Sequence, residues 1–255
     1  MTTEEPLYGG LVDKVVRVGD KVRRPAGPWS RATQALLGHL HAAGFPCPEP
    51  LGFDDQGREV LSYLEGDPMR GPMPALVDEE GCLSLGRFVR AFHDAQDGFV
   101  PPEPAIWQAG IRAVLPGEVV LHGDLGPTNL LFNGGEVVGI VDWEMAYPGW
   151  GVSDLADVAG SLVPLQPPPA DPHRPNPSLA ERHDRLVALA EGYGLSDLVQ
   201  LLTEFVRVRR DGVIRMTLQG GAGVEPWATF LHRGLADRCE RQARWVEDNF
   251  EALLS

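Results

Sequence analysis

The chain has 255 residues, 43% of them apolar, enough to bury one large core or two modest ones, and its 36 acidic against 22 basic residues give a formal charge of −14. That balance speaks against nucleic acid as a partner, which would ask for clustered Lys and Arg; it suits a positively charged small molecule, and equally plain solubility. With no apolar run of about 18 residues, no membrane span is expected. The acidic start Met1-Thr2-Thr3-Glu4-Glu5 lacks the basic-then-apolar order of a secretory signal. Three widely spaced cysteines, Cys47, Cys82 and Cys239, favour a reducing cytoplasm over a disulfide framework or a zinc site.

In chain order, residues 7–24 predict a β-hairpin, Val15–Val18 and Lys21–Arg24 about the turn pair Gly19-Asp20. Trp29–Ala43 carries apolar residues at 29, 32, 36, 40 and 43 on one helical stripe, closed by Gly44. Two further strands follow at Leu51–Phe53 and Glu59–Leu64, joined by Asp54-Asp55-Gln56-Gly57. Residues 81–96 are expected to be helical, with a short helix around Trp107 after the Pro-rich stretch 101–104. Val119–Leu121 and Val137–Val141 read as buried strands. Ser153 suits the cap of a helix through Leu162. Residues 164–177 hold too many prolines for helix or ladder and predict a loop. Leu179–Tyr193, Leu198–Arg210 and one long segment Trp227–Leu254 each carry a 3.6-period stripe, with Ser196 and Glu225-Pro226 as starts. No internal repeat is visible. The order predicts an α+β chain: a reduced strand-rich lobe with one helix over 1–65, then a larger, mainly helical lobe over 66–255.

The chemistry concentrates in Leu121-His122-Gly123-Asp124-Leu125-Gly126-Pro127-Thr128-Asn129, followed by Val141-Asp142-Trp143-Glu144. Alone, each polar residue is an ordinary turn or cap former. Together, a loop carboxylate, an amide five residues on and a carboxylate ending the next strand make a hard oxygen-rich set. A loose phosphoryl-transfer transition state asks for such a set: a carboxylate to take the acceptor's hydroxyl proton, oxygen ligands for Mg²⁺, and a cation on the phosphates. Asp124 suits the first role; Asn129 and Asp142 suit the second.

The His122-Gly-Asp124-x₄-Asn129 run with Val-Asp142-Trp-Glu144 resembles the aminoglycoside phosphotransferase family and its choline-kinase-like relatives. The likeness extends to Leu51-Gly52-Phe53, Tyr63-Leu-Glu-Gly66, Phe92-His93-Asp94 and Ser153-Asp154-Leu155-Ala156, and so spans roughly residues 15–215. It implies a bilobal protein-kinase-like fold and a cytoplasmic kinase that uses ATP or GTP with Mg²⁺ on a hydroxyl acceptor: an aminoglycoside, another amino-alcohol or a sugar. It further implies Asp124 as catalytic base, Asn129 and Asp142 as metal ligands, and Ser62, Tyr63 and Leu64 as the hinge that meets the base of the nucleotide.

The family also expects a phosphate-contacting Lys on the third strand. With Val22 facing the core, alternation sends Lys21 and Arg23 to the opposite face, and the motif alignment puts Arg23 in the Lys position. Arg binds phosphate bidentately but does not equal Lys. The acid that should orient this cation from the next helix is missing, since no Asp or Glu lies between Asp20 and Glu49; the pair is absent or supplied from elsewhere. The glycine-rich loop is reduced to Gly9-Gly10. These losses keep open a weak or inactive pseudokinase that binds nucleotide or ligand; a transferase running another nucleotide chemistry on the same fold is a separate alternative. His122 and His93 are expected to hold the loop and to pack. Glu144 either meets the metal's water shell or caps its loop, and Trp143 and Trp150 are expected to pack rather than line the acceptor pocket. Asp154, Asp157, Glu204 and Asp211 are unranked acidic candidates, Asp154 having a structural place in the family.

Overall fold

In a computed structural model, residues 4–7, 15–68, 78–169 and 176–255 are described. The expected Gly9-Gly10 turn, Lys14 and the middle of the prolyl loop lie outside them. The chain divides into two compact units, Met1–Arg70 with Phe88–Asp154, and Gly71–Arg87 with Leu155–Ser255.

The first unit is built on a five-stranded antiparallel sheet in the order β1-β2-β3-β5-β4. Its strands are β1 (Glu5–Pro6), β2 (Val16–Val18), β3 (Lys21–Arg24), β4 (Pro50–Phe53) and β5 (Glu59–Ser62), with helix α1 (Ser30–Ala42) between β3 and β4. The β2–β3 turn is Gly19-Asp20, and Gly19 takes the positive φ of 66° that such a turn needs. Leu36, Leu37 and Leu40 of α1 are buried, as the stripe predicts, and Gly44 follows the helix at φ 80°. β3 pairs with β5 so that Arg24 faces Glu59 and Lys21 faces Ser62. A short β6 (Asp67–Pro68) then joins a second sheet, and helix α2 (Glu79–Asp94) contributes its second half to this unit. There Phe88 and Phe92 meet Phe45, and Phe92 stands edge-on to Trp143 at 5.1 Å between centroids.

The expected helix around Trp107 is instead a small hairpin, β7 (Ile106–Trp107) paired with β8 (Gly110–Ile111). An isoleucine beside an aromatic favours a pleated surface, Gly110 turns at φ 118°, and the Trp107 indole N–H donates to the Arg112 carbonyl at 2.9 Å. Next come β9 (Val119–Leu121), β10 (Leu130–Asn133), β11 (Glu136–Ile140) and β12 (Tyr147–Gly149). β10 had no counterpart in the sequence reading, and it pairs with both β11 and β6. β9 pairs with β12.

Helix α3 (Val152–Leu162) starts one residue before the expected cap Ser153. The second unit is helical. α4 (Leu179–Tyr193) begins at a full capping box between Ser178 and Glu181 and ends at Gly194 with φ 82°. α5 runs Leu198–Arg215, capped by Asp197 rather than Ser196, and leads into a π-helical turn Met216–Gly220. The single long helix expected over 227–254 is broken in three: α6 (Trp227–His232), α7 (Leu235–Asp248) and α8 (Phe250–Leu253). Gly234 at φ 73° makes the first break and Asn249 the second. A period-3.6 stripe survives such breaks because each piece still faces the same core. Among the described residues no helix is long and apolar enough to cross a membrane.

Candidate functional site

β9 is buried, with Val120 and Leu121 at 0% exposure, and delivers the chain into the loop that begins at His122. The His122 and Gly123 N–H groups donate to the two oxygens of Asp154, at 2.8 and 3.1 Å. The His122 ring accepts from the Asp124 N–H through Nδ1 at 3.3 Å, so its own proton sits on Nε2 and is donated to the Val141 carbonyl at 3.0 Å. His122 thus ties the loop to the end of β11, and it packs edge-on against Trp143 at 4.9 Å. His93, also buried, lies with Nε2 3.2 Å from Asp154 Oδ2. Both histidines do what their sequence context suggests, holding and packing. Gly123 sits at φ 76°, and a Cβ there would fall on the Met145 carbonyl and within 2.9 Å of the Tyr147 ring.

Asp124, Asn129 and Asp142 are brought together by two short connections. A turn at Gly126 accepts the N–H groups of Asn129 and Leu130. The Asn129 amide nitrogen then donates to the carbonyl and to the Oδ2 of Asp124, at 2.8 and 3.0 Å. That turns the amide oxygen away from Asp124. The Val141 N–H donates to the Asn129 carbonyl at 2.9 Å, which places Asp142 beside it. Asp142 has φ 67° and ψ 61°, the one non-glycine positive φ among the described residues. Strain of this kind persists only where surrounding contacts hold it, and it clusters at functional positions.

Asn129 and Asp142 line a cavity of about 390 Å³ whose walls also include Val22, Arg24, Leu61, Ser62, Tyr63 and Leu64. The expected hinge residues therefore share one cavity with the two expected metal ligands. Ser62 and Tyr63 are anchored from outside it: the Ser62 hydroxyl accepts the Glu49 N–H at 2.8 Å, and the Tyr63 N–H donates to the Asp20 carbonyl at 2.7 Å. The Arg17 guanidinium lies over the Tyr63 ring, 3.6 Å from its centroid.

Arg23 is not in this cavity. Its nitrogens approach Glu4 at 3.7 Å and Asp54 at 3.8 Å on the other face of β3. The side chain that reaches the site is Arg24. The phase of alternation expected for β3 holds, with Val22 and Arg24 on one face; the error lies in which face meets the site. Val22 lines the cavity instead of filling a sealed core, and Arg24 lines it too. Arg24 is 8% exposed, and its three nitrogens engage three carboxylates: Nε with Glu59 at 3.3 Å, one terminal nitrogen with Asp142 at 3.0 Å, the other with Glu144 at 2.7 Å. Burial works against its charge, but Asp142, Glu144 and Glu59 outweigh this and hold the guanidinium above its ordinary value. Burial also pushes the Glu144 and Glu59 carboxyls up, and Arg24 opposes this in both. Glu144, left open in the sequence, is a partner of Arg24. Neither Arg24 nor Glu59 stood out in the sequence; the only available signal was the parity that pairs 22 with 24.

The acidic candidates divide. Asp154 supports the loop, Asp157 pairs with Arg209 at 3.2 Å, and Glu204 and Asp211 both engage Arg207. Trp143 is buried, its indole N–H donating to the Ile140 carbonyl at 3.1 Å, whereas Trp150 stands 59% exposed rather than packed. Burial pushes the Cys47 and Cys82 thiols up to about 12, which leaves them no thiolate character. Among the described residues no three His, Cys, Asp or Glu side chains form a metal cage. One amide and one carboxylate oxygen lining this cavity fit Mg²⁺, which takes few protein ligands and keeps several waters.

A strand-rich half bearing one helix, followed by a loop-borne Asp–Asn pair and an Asp at the next strand's end, defines a protein-kinase-like phosphotransferase. A model of the phosphotransferase enzyme family matches residues 9–110 and 101–181, and the chain belongs to that family. It is 36% identical over 201 residues to the trifolitoxin immunity protein of Rhizobium leguminosarum bv. trifolii, covering 77% of this chain and 76% of that one. It is 28% identical over 187 residues to homoserine kinase of Rhizobium etli, of whose length it spans 54%. Among solved structures, a choline/ethanolamine kinase family protein from Mesorhizobium loti superposes with a TM-score of 0.63 at 19% identity, over 99% of this chain and 91% of that one. At that identity the likeness carries the fold.

Proposed function

We propose that this protein transfers the γ-phosphate of ATP or GTP to a hydroxyl of a small molecule: an aminoglycoside-like compound, an amino-alcohol or a sugar. The observation that carries the reading is the convergence of Asp124, Asn129 and Asp142, with Asn129 bonded to Asp124 on one side and lining the nucleotide-sized cavity on the other. In this reading residues 1–65 form the nucleotide lobe, and 66–255 carry the catalytic loop and the acceptor site. The homoserine and choline/ethanolamine kinases among its relatives have small hydroxyl compounds in their names, which supports the acceptor class.

Asp124 accepts the acceptor's hydroxyl proton as the oxygen attacks phosphorus. The Asn129 amide, by donating to Asp124 Oδ2, orients that carboxylate. Asn129 and Asp142 present the oxygens that would hold Mg²⁺. Held there, the ion would supply positive charge to offset the negative charge of the phosphates. Ser62, Tyr63 and Leu64 contact the base of the nucleotide through the cavity wall. The strained Asp142 keeps its carboxylate aimed at one spot without a conformational search.

The test is phosphate transfer from ATP and GTP to a panel of homoserine, choline, aminoglycosides and simple sugars, read by mass spectrometry of the product. Asp124→Ala should lower turnover about 100- to 10,000-fold with folding and nucleotide binding intact. Unchanged turnover in that variant would sink the reading.

A further inference from the structure

Arg24 and Glu59 are directly opposed residues of β3 and β5, and both are buried, at 8% and 3% exposure. Among the described residues, Glu59 is the only acid paired with Arg24 that does not belong to the Asp142–Glu144 segment. It is itself held from α1: Gln34 donates to its Oε1 at 3.5 Å, and Ser30 hydrogen-bonds to it as well. So the helix after β3 carries no acid but supplies neutral groups to an acid on the neighbouring strand, which in turn fixes the arginine. A guanidinium has five N–H donors. Asp142 and Glu144 each accept one N–H from a terminal nitrogen, and Glu59 pairs with the Nε side at 3.3 Å, so each terminal nitrogen keeps a second N–H beside a cavity that Arg24 helps to line.

Resting on the phosphotransferase reading, we propose that Arg24 is the phosphate-binding cation of this protein and that Glu59, across the strand pair, is the residue that positions it. The pair forms with the sheet register. It needs no helix to swing in, unlike sites where the acid sits on a mobile helix, so the phosphate grip is assembled whenever the first unit is folded. Arg24 also spans the two halves of the site, linking the strand acid to Asp142 and Glu144.

The experiment is calorimetric titration of adenosine, ADP and ATP, with and without Mg²⁺, into wild type, Arg24→Ala, Arg24→Lys, Glu59→Gln and the Arg24→Ala/Glu59→Gln double variant. Arg58→Ala, whose partners are Asp54 and Glu4, serves as control. Thermal melts confirm folding, and the two conservative variants keep the test alive if Arg24→Ala does not fold. Removing Arg24 should weaken ADP and ATP about 100-fold, with adenosine unchanged, and Lys should restore part of the loss. Glu59→Gln should weaken the phosphorylated ligands about tenfold, and should add nothing in the Arg24→Ala background. Normal ADP affinity in folded Arg24→Ala or Glu59→Gln, or equal loss of adenosine, overturns the proposal while leaving wild-type transfer standing. A wild type that binds no nucleoside triphosphate overturns this proposal and the phosphotransferase reading together.

Discussion

At the scale of single residues, a few backbone positions set the chemistry. Gly123 holds a positive φ with a carbonyl and the Tyr147 ring where a side chain would go. Gly123→Ala is expected to cost about 2 kcal/mol of stability, through strain and crowding together, and to lower turnover by displacing Asp124. Urea unfolding and kcat measured on the same preparation check both. Asp154 accepts from two backbone N–H groups and meets His93 in a fully buried position. Replacing it by Ala leaves those donors unpaired and should cost about 3 kcal/mol, again read by urea unfolding. The position of Arg24 shows how narrow the margin of a sequence reading is here. The β-hairpin, its turn and the parity of its side chains were all legible. The face that meets the site was not, because Val22 is apolar whether it lines a cavity or fills a core.

At the scale of elements, strong local signals survived and weak ones did not. The stripe of α1, the capping box of α4 and the strands β2 to β5 lie close to where composition and caps place them. The Trp107 segment was misread because four residues of mixed pattern cannot distinguish a helical turn from a two-residue strand. The carboxy-terminal helix was overextended because its stripe is continuous while the break rests on a single residue, Gly234. Close packing between helices was invisible in sequence. In the second unit, a Cβ on Gly86 of α2 would fall on the Leu189 carbonyl, and one on Gly192 of α4 on the Leu83 carbonyl, so the two helices meet backbone to backbone. Gly86→Ala, favourable by helix propensity alone, should instead lower stability by about 2 kcal/mol, and a fall in melting temperature would register it.

At the scale of the whole molecule, the half of the site proposed to handle the hydroxyl and the metal was readable in one motif, because its residues lie within 21 positions, from His122 to Asp142. The half proposed to grip phosphate was not, because Arg24 and Glu59 are far apart in the chain and meet only through strand register. The missing helix acid suggested a pseudokinase. The buried Arg24–Glu59 pair at the same cavity supplies an acid from a strand where the helix has none, and leaves the replacement of Lys by Arg and the short Gly9-Gly10 loop as the sequence grounds for that alternative. The claim that matters most is the division of labour between Asp124 and the nucleotide cavity. Its most direct test is to measure, in Asp124→Asn and in Asp142→Asn, both nucleotide affinity with Mg²⁺ and single-turnover phosphate transfer to the best acceptor of the panel. Asp124→Asn is expected to bind nucleotide like wild type and not to transfer, whereas Asp142→Asn should lose its Mg²⁺-dependent gain in nucleotide affinity. Undiminished transfer by Asp124→Asn would contradict that division of labour.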